Sequence, residues 1–226
     1  MTERRDWPVV TLVFVAVLLA AMALDWLVMR RLEGGLGLGA AGHPKPAIEL
    51  VVPRTLFFHP GHSWARLDED GSVTVGIDDL IRTLVGCFST INGPSVGDFV
   101  VAGQPAMVIG ENGQALRIPA PVSGRVTEVN RRIGSDPVLL RWRPYKEGWV
   151  FRLIPGDRLS TELGLLAIGN DAARWMADEM GRAENMFRNG LLESPVEGAL
   201  ERAGAAAWAT VERELLGSAA TRELGA

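Results

Sequence analysis

A mainly β domain with flanking helices, carried behind an apolar N-terminal helix, is the architecture that this chain predicts. Three stretches predict it. Val96 to Asn130 reads as short β-runs around a tight turn. Ser72-Val73-Thr74-Val75-Gly76-Ile77 alternates as a strand after the turn Asp68-Glu69-Asp70-Gly71. Pro8 to Met29 is almost wholly apolar, with Asp25 its one charge.

Residues 1–7 form a short polar tail, in which Glu3 and Asp6 balance Arg4 and Arg5. As a helix, the roughly 22 residues of 8–29 would be about 33 Å long, enough to cross a bilayer core. Trp7 and Trp26 lie near its two ends, as an interfacial belt places them, and Arg30-Arg31 closes it. Ala21-Met22-Ala23 mimics a signal-peptide cleavage site. The apolar run continues past it through Leu27-Val28-Met29 to the basic stop, which favours a retained single-pass anchor. Arginines flank both sides equally, so the positive-inside count does not set the orientation.

Residues 30–56 read as a Gly/Pro linker ending in a short extended run, Ile48-Glu49-Leu50-Val51-Val52. Gly37-Leu38-Gly39-Ala40-Ala41-Gly42 formally satisfies the dinucleotide pattern GxGxxG. No strand precedes it, and His43-Pro44-Lys45-Pro46 prevents a following helix, so a flexible spacer is the reading.

The hairpin has Val100-Val101 and Ala106-Met107-Val108-Ile109 on one side and Ala115-Leu116-Arg117-Ile118 on the other. Gly124 to Val129 follows as a further β-run. Asn112-Gly113 lies at the turn. A type I′ turn needs positive φ at both central residues, which Asn-Gly supplies at little cost.

These residues carry a resemblance. The stretch is similar to the lipoyl-bearing core of glycine cleavage system H proteins. Val96-Gly97-Asp98 opens the family's V-G-D-x-V-x-A-G phrase, which runs here to Gly103. Pro121-Val122-Ser123-Gly124 matches its P-V-S-G phrase. Upstream, His62, Trp64, Gly71, Val73, Gly76, Ile77 and Asp79 stand where the family's H-x-W-x-R, D-G and V-T-V-G-I-x-D phrases expect them. Downstream, Pro144-Tyr145-Lys146-Glu147-Gly148-Trp149-Val150 matches P-Y-G-E-G-W-L, with Lys146 replacing a glycine.

The resemblance implies a lipoyl/biotinyl-like β-sandwich, the barrel-sandwich hybrid, over residues 57–180. It also implies a lipoate-carrying lysine at the hairpin tip, in a pattern close to E-S-V-K-A. Alignment without gaps puts that position on Gly113; matching Glu111 and Ala115 puts it on Gln114. The chain's lysines are Lys45 and Lys146, both outside the hairpin. No lipoate cofactor is therefore expected. The tip Glu111-Asn112-Gly113-Gln114 is instead the candidate interaction site.

Asp78 to Leu84 reads as a short helix, and Gly86 to Ile91 suits the family's next strand. Phe151-Arg152-Leu153-Ile154-Pro155 is the closing strand, and Leu159 to about Met180 reads as helical. Residues 181–226 lie beyond the resemblance. Ser194-Pro195-Val196-Glu197 reads as a helix start. Val196, Leu200, Ala203, Ala207-Trp208, Val211 and Leu215 then repeat at helical spacing. That helix either folds back on its own domain or docks a partner.

Composition narrows the function classes. Net charge is −4 over 226 residues, which argues against a nucleic-acid surface. The lone Cys87, in an apolar setting, excludes an intrachain disulfide and a CxxC site and reads as a small core residue. His59 and His62 have no third ligand at metal-binding spacing and read as loop-fixing groups; no metal is expected. No nucleophile–base set or carboxylate pair converges, so the chain is expected to be non-catalytic.

The leading expectation is a membrane-anchored, non-lipoylated H-like binding or scaffold module. Its bilayer partner is reached through residues 8–29. Its protein partner is a membrane redox complex or the glycine-cleavage enzymes. The alternative is a genuine lipoyl carrier of glycine cleavage. A third reading is the membrane-fusion adaptor of an export pump, which would need a helical hairpin between the two β-halves. By analogy with bacterial H proteins, the anchor is expected in the inner membrane and the domain in the cytoplasm.

Overall fold

The computed structural model describes residues 50–190 and 197–217. The expected membrane helix at 8–29, the linker before Leu50 and the helix start at Ser194-Pro195 lie outside those residues. Among the described residues no helix is long and apolar enough to cross a membrane.

The chain enters at Leu50 without forming a strand, and the Val51 N–H donates to Asp79 Oδ2 at 3.0 Å. Strands β1 (Phe57–Phe58), β2 (Ser63–Leu67) and β3 (Val73–Ile77) follow as an antiparallel meander. Asp68 and Gly71, at φ 81°, turn the chain between β2 and β3, as the Asp-Gly pair predicts. Helix α1 (Asp79–Val85) comes next, then β4 (Thr90–Asn92) and β5 (Phe99–Val100). The hairpin is β6 (Pro105–Glu111) and β7 (Gln114–Pro119), with β8 (Gly124–Val129) after it. Two short helices, α2 (Arg131–Ser135) and α3 (Val138–Trp142), lead to β9 (Phe151–Pro155). Then come α4 (Leu159–Gly164), β10 (Ala167–Ile168) and the long α5 (Gly169–Arg188). The described chain closes with α6 (Ala199–Arg202), α7 (Ala205–Val211) and a π-helical turn over Glu212–Leu216.

Among the described residues the strands form two antiparallel sheets. One has the order β10-β1-β2-β3-β9-β8-β5; the other is β4-β6-β7. Met107, Ile109, Leu116 and Ile118 from the small sheet share one buried core with Trp64, Val75, Phe151 and Leu153 from the large one. Their period-2 spacing along each strand is what puts them on one face. The result is a mainly β fold of two packed sheets with flanking helices.

Three expectations need correction. Val100-Val101 is not part of the hairpin's first side: Phe99 and Val100 pair with Arg125 and Gly124 of β8, in the other sheet. Gly103, at φ 77°, turns the chain from one sheet to the other between these runs. Leu159 to Met180 is not one helix. The chain leaves α4 after Gly164, and Ala167–Ile168 pairs with Phe58 and Phe57 of β1 before Gly169, at φ 62°, turns into α5. Pairing with a buried strand outweighs the helical pattern there. The C-terminal stripe is also broken: Ala203 is extended and Gly204 restarts the helix. Leu200, Trp208, Val211 and Leu215 are nevertheless buried in the domain's own core, so the fold-back alternative holds for them.

Gly76 shows why one family phrase reads as it does. A Cβ at Gly76 would sit 2.4 Å from the Trp64 ring, which is wholly buried and donates from Nε1 to the Ile77 carbonyl at 3.1 Å. Gly76→Ala is therefore expected to lower stability by about 1–3 kcal/mol through overpacking. A urea denaturation midpoint unchanged from the wild type would contradict this packing argument.

Candidate functional site

The hairpin tip is built from a two-residue turn. Glu111 and Gln114 are paired across it, with Asn112 at φ 51° and Gly113 at φ 78°. Both central residues are exposed. Below the tip, Gly110 lets the strands close: a Cβ there would lie 2.5 Å from the Gln114 carbonyl oxygen. Ser89 N–H donates to the Gly110 carbonyl at 3.0 Å and so ties the hairpin to the chain entering β4. The structure thus brings the candidate residues Glu111, Asn112, Gly113 and Gln114 together as one protruding turn. No helical hairpin interrupts β6 and β7.

The chemistry available there is limited. An amide link to lipoate needs a primary amine. Gly113 has no side chain, the Gln114 amide nitrogen is not nucleophilic, and Glu111 is the one ionisable side chain of the turn. Lys146 lies elsewhere, in a loop packed on α1, where the Tyr145 hydroxyl oxygen accepts from the Asp79 N–H at 3.0 Å. Burial, reinforced by the negative charges of Asp78 and Asp79, pushes that tyrosine hydroxyl well above its ordinary range, so it stays protonated.

The two histidines act as loop-fixing groups. His59 Nδ1 accepts from the Gly61 N–H at 2.9 Å, and both residues are buried. His62 Nδ1 donates to Asp78 Oδ2 at 2.7 Å, with both side chains wholly buried. Among the described residues no group of histidine, cysteine and carboxylate side chains is placed to hold a metal.

Cys87 departs from the expected core placement. It is half-buried, 3.6 Å from the Arg141 guanidinium. Burial, with Glu201 adding to it, raises its thiol pKa. The folded state therefore holds the thiol proton more tightly than the unfolded chain, and stability falls as pH rises past the unfolded thiol's value.

Sequence reasoning missed two polar ties that position this scaffold. Ser123 donates from both N and Oγ to the Glu162 carboxylate at 2.7 Å, and its Oγ accepts from the Ala102 N–H at 2.9 Å. Asn130 Nδ2 donates to the carbonyls of Glu147 and Trp149 at 2.8 and 2.7 Å, clasping the Tyr145–Trp149 loop. The phrase P-V-S-G carried Ser123. Glu162 had no local signal, because its partner is distant in sequence.

Residues 56–199 match the glycine cleavage H-protein family, more than half of the chain. The chain belongs to the glycine cleavage H-protein family. It is 38% identical over 121 residues to the glycine cleavage system H protein of Shewanella baltica OS155, covering 54% of this chain and 94% of that one. The same figures hold for the H protein of Shewanella sp. W3-18-1. A glycine cleavage system H protein from Mycobacterium marinum superposes with a TM-score of 0.48 at 24% identity, covering 57% of this chain and 98% of that one. The family is one of non-catalytic carrier subunits that meet glycine-cleavage enzymes as protein partners.

Two outcomes follow from the geometry. Gly113→Ala is expected to cost about 1 kcal/mol because an L side chain resists φ near 78°. Gln114→Ala, in ordinary strand geometry, is expected to stay within about 0.5 kcal/mol; thermal melts of the two variants check the contrast. Iodoacetamide is expected to alkylate Cys87 at pH 8 more slowly than it alkylates a small-molecule thiol, because less thiolate is present. Quantified mass spectrometry over time reads that rate.

Proposed function

We propose that this chain is a membrane-anchored, non-lipoylated member of the H-protein family that serves as a binding or scaffold module. One observation carries the reading: the hairpin that bears the lipoyl lysine in the resemblance ends here in Glu111-Asn112-Gly113-Gln114, with no amine to modify. The exposed turn serves as a contact surface for a protein partner, a membrane redox complex or glycine-cleavage-type enzymes. The apolar run of residues 8–29 holds the module at the bacterial inner membrane, with the domain on the cytoplasmic side.

Family membership favours a second reading, a lipoyl carrier for glycine cleavage. It would require lipoate on Lys45 or Lys146, neither of which lies in the hairpin. An adaptor of an export pump is disfavoured, since β6 joins β7 through Asn112-Gly113 alone.

The deciding experiment is intact-mass measurement of the full chain after co-expression with lipoate ligase. The native chain is expected to show no lipoyl increment, and a stoichiometric increment would overturn the proposal. Gln114→Lys is expected to gain the increment more readily than Gly113→Lys, because the lysine at 114 keeps unstrained backbone. Should both variants fold and stay unmodified, the hairpin no longer presents a ligase substrate. Alkaline carbonate extraction checks the anchor: the full chain is expected to stay with the membrane pellet, and its release would refute membrane anchoring.

A further inference from the structure

Arg82, Arg141, Arg143 and Lys146 line one cavity of about 510 Å³, with Asp79 as the acid among its walls. Arg82 is held by Asp79 at 2.6 Å, so that pair is neutral as a unit. Arg141 and Arg143 each touch one carboxylate, Glu197 at 3.2 Å and Glu147 at 2.9 Å. Both pairs face solvent, where such ties are weak and exchange readily for an arriving anion. Lys146 has no ion-pair partner among the described residues. It stands where the family's phrase has glycine, so it adds a charge to this wall. With all three carboxylates counted the wall keeps one net positive charge, and Arg141 and Arg143 can exchange their glutamates for an arriving phosphate, on a chain whose net charge is −4.

Exposed apolar side chains stand among and beside these cations. Trp142 is 72% exposed and Val138 53%, and the two lie one turn apart on the same side of α3. Val51, on the cavity wall, is 59% exposed. The Arg141 guanidinium lies 5.7 Å from the centre of the Trp142 ring, which keeps charge and aromatic side by side. Cations beside an exposed tryptophan and exposed valines are what a membrane–water interface selects.

We propose that this face docks on the headgroups of anionic phospholipids. Arg141, Arg143 and Lys146 meet the phosphates, while Trp142 and Val138 enter the interface. The proposal rests on the membrane-anchored reading above. It goes further by giving the folded domain its own lipid contact and thereby a fixed orientation at the surface.

The test uses the full chain in nanodiscs of phosphatidylcholine alone and of phosphatidylcholine with phosphatidylglycerol, read by amide hydrogen exchange. Residues 138–147 are expected to exchange at least about threefold more slowly in the anionic discs, with the difference lost at high salt. In the double variant Arg143→Gln/Lys146→Gln the difference is expected to disappear. Equal exchange in both discs overturns the proposal. So does equal protection from inorganic phosphate added to the neutral discs, which would make this a site for soluble anions. If the chain fails to enter discs at all, the anchor reading falls by itself. The same protein is then floated with preformed vesicles: retention on the anionic ones alone supports the surface, and no retention overturns it.

Discussion

One buried carboxyl group organises the part of this fold that the family phrases mark. Asp78 caps α1 by accepting from the N–H groups of Leu80 and Ile81, both at 3.1 Å, and it also accepts from His62 at 2.7 Å. His62 sits at φ 67°, a backbone state that an L residue holds only when its surroundings fix it. The His62 carbonyl in turn accepts from the Asp78 N–H at 3.0 Å, so the two residues bind each other by main chain and side chain. A solitary buried carboxylate would be costly, and three donors offset that cost. The consequence runs outward. With α1 fixed, Asp79 faces the incoming chain and takes the Val51 N–H, Arg82 and the neighbourhood of Tyr145 into one cluster.

The cap explains how much of the site was legible. Asn112-Gly113 announced its turn because the backbone state that it requires suits few other residues. The H-x-W and V-T-V-G-I phrases were legible for the same kind of reason: Trp64 fills the space above Gly76, and each residue restricts the other. Pairing between distant segments left no such local mark. Ala167–Ile168 joins the sheet because Phe57 and Phe58 wait beside it, yet two residues inside a helical pattern carry no period of their own. The cavity wall was equally hidden. Arg82 belongs to α1 and the other cations to α3 and the loop after it, so only the fold makes them neighbours.

The C-terminal segment covers one flank of the hairpin. α7 and the π-helical turn pack on β7, which is an edge of the small sheet, and Arg117 of β7 meets Glu212 at 3.1 Å. At the other end of the segment the main chains of Gly198 and Gly86 come together so closely that a Cβ on Gly86 would lie 2.6 Å from the Gly198 Cα. The Gly198 N–H donates to the Thr83 carbonyl at 2.8 Å. Trp208, Val211 and Leu215 lock this arrangement by burial. An open β-edge invites pairing with other chains, and a helix laid against it is one way of preventing that.

A covered hairpin flank bears on the choice between carrier and scaffold. A carrier has to let its arm swing, which favours open space around the tip and the strand leading from it. Here the strand leading from the tip is occupied by the protein's own helices, while Asn112 and Gly113 remain exposed at the end. The turn itself is two residues long and closes directly on paired strands. Rigid elements lose little entropy on binding and present their geometry ready-made. The packing of α7 and the π-helical turn on β7 and the Asn-Gly turn at its end are thus two features of one hairpin, a covered flank and an exposed tip.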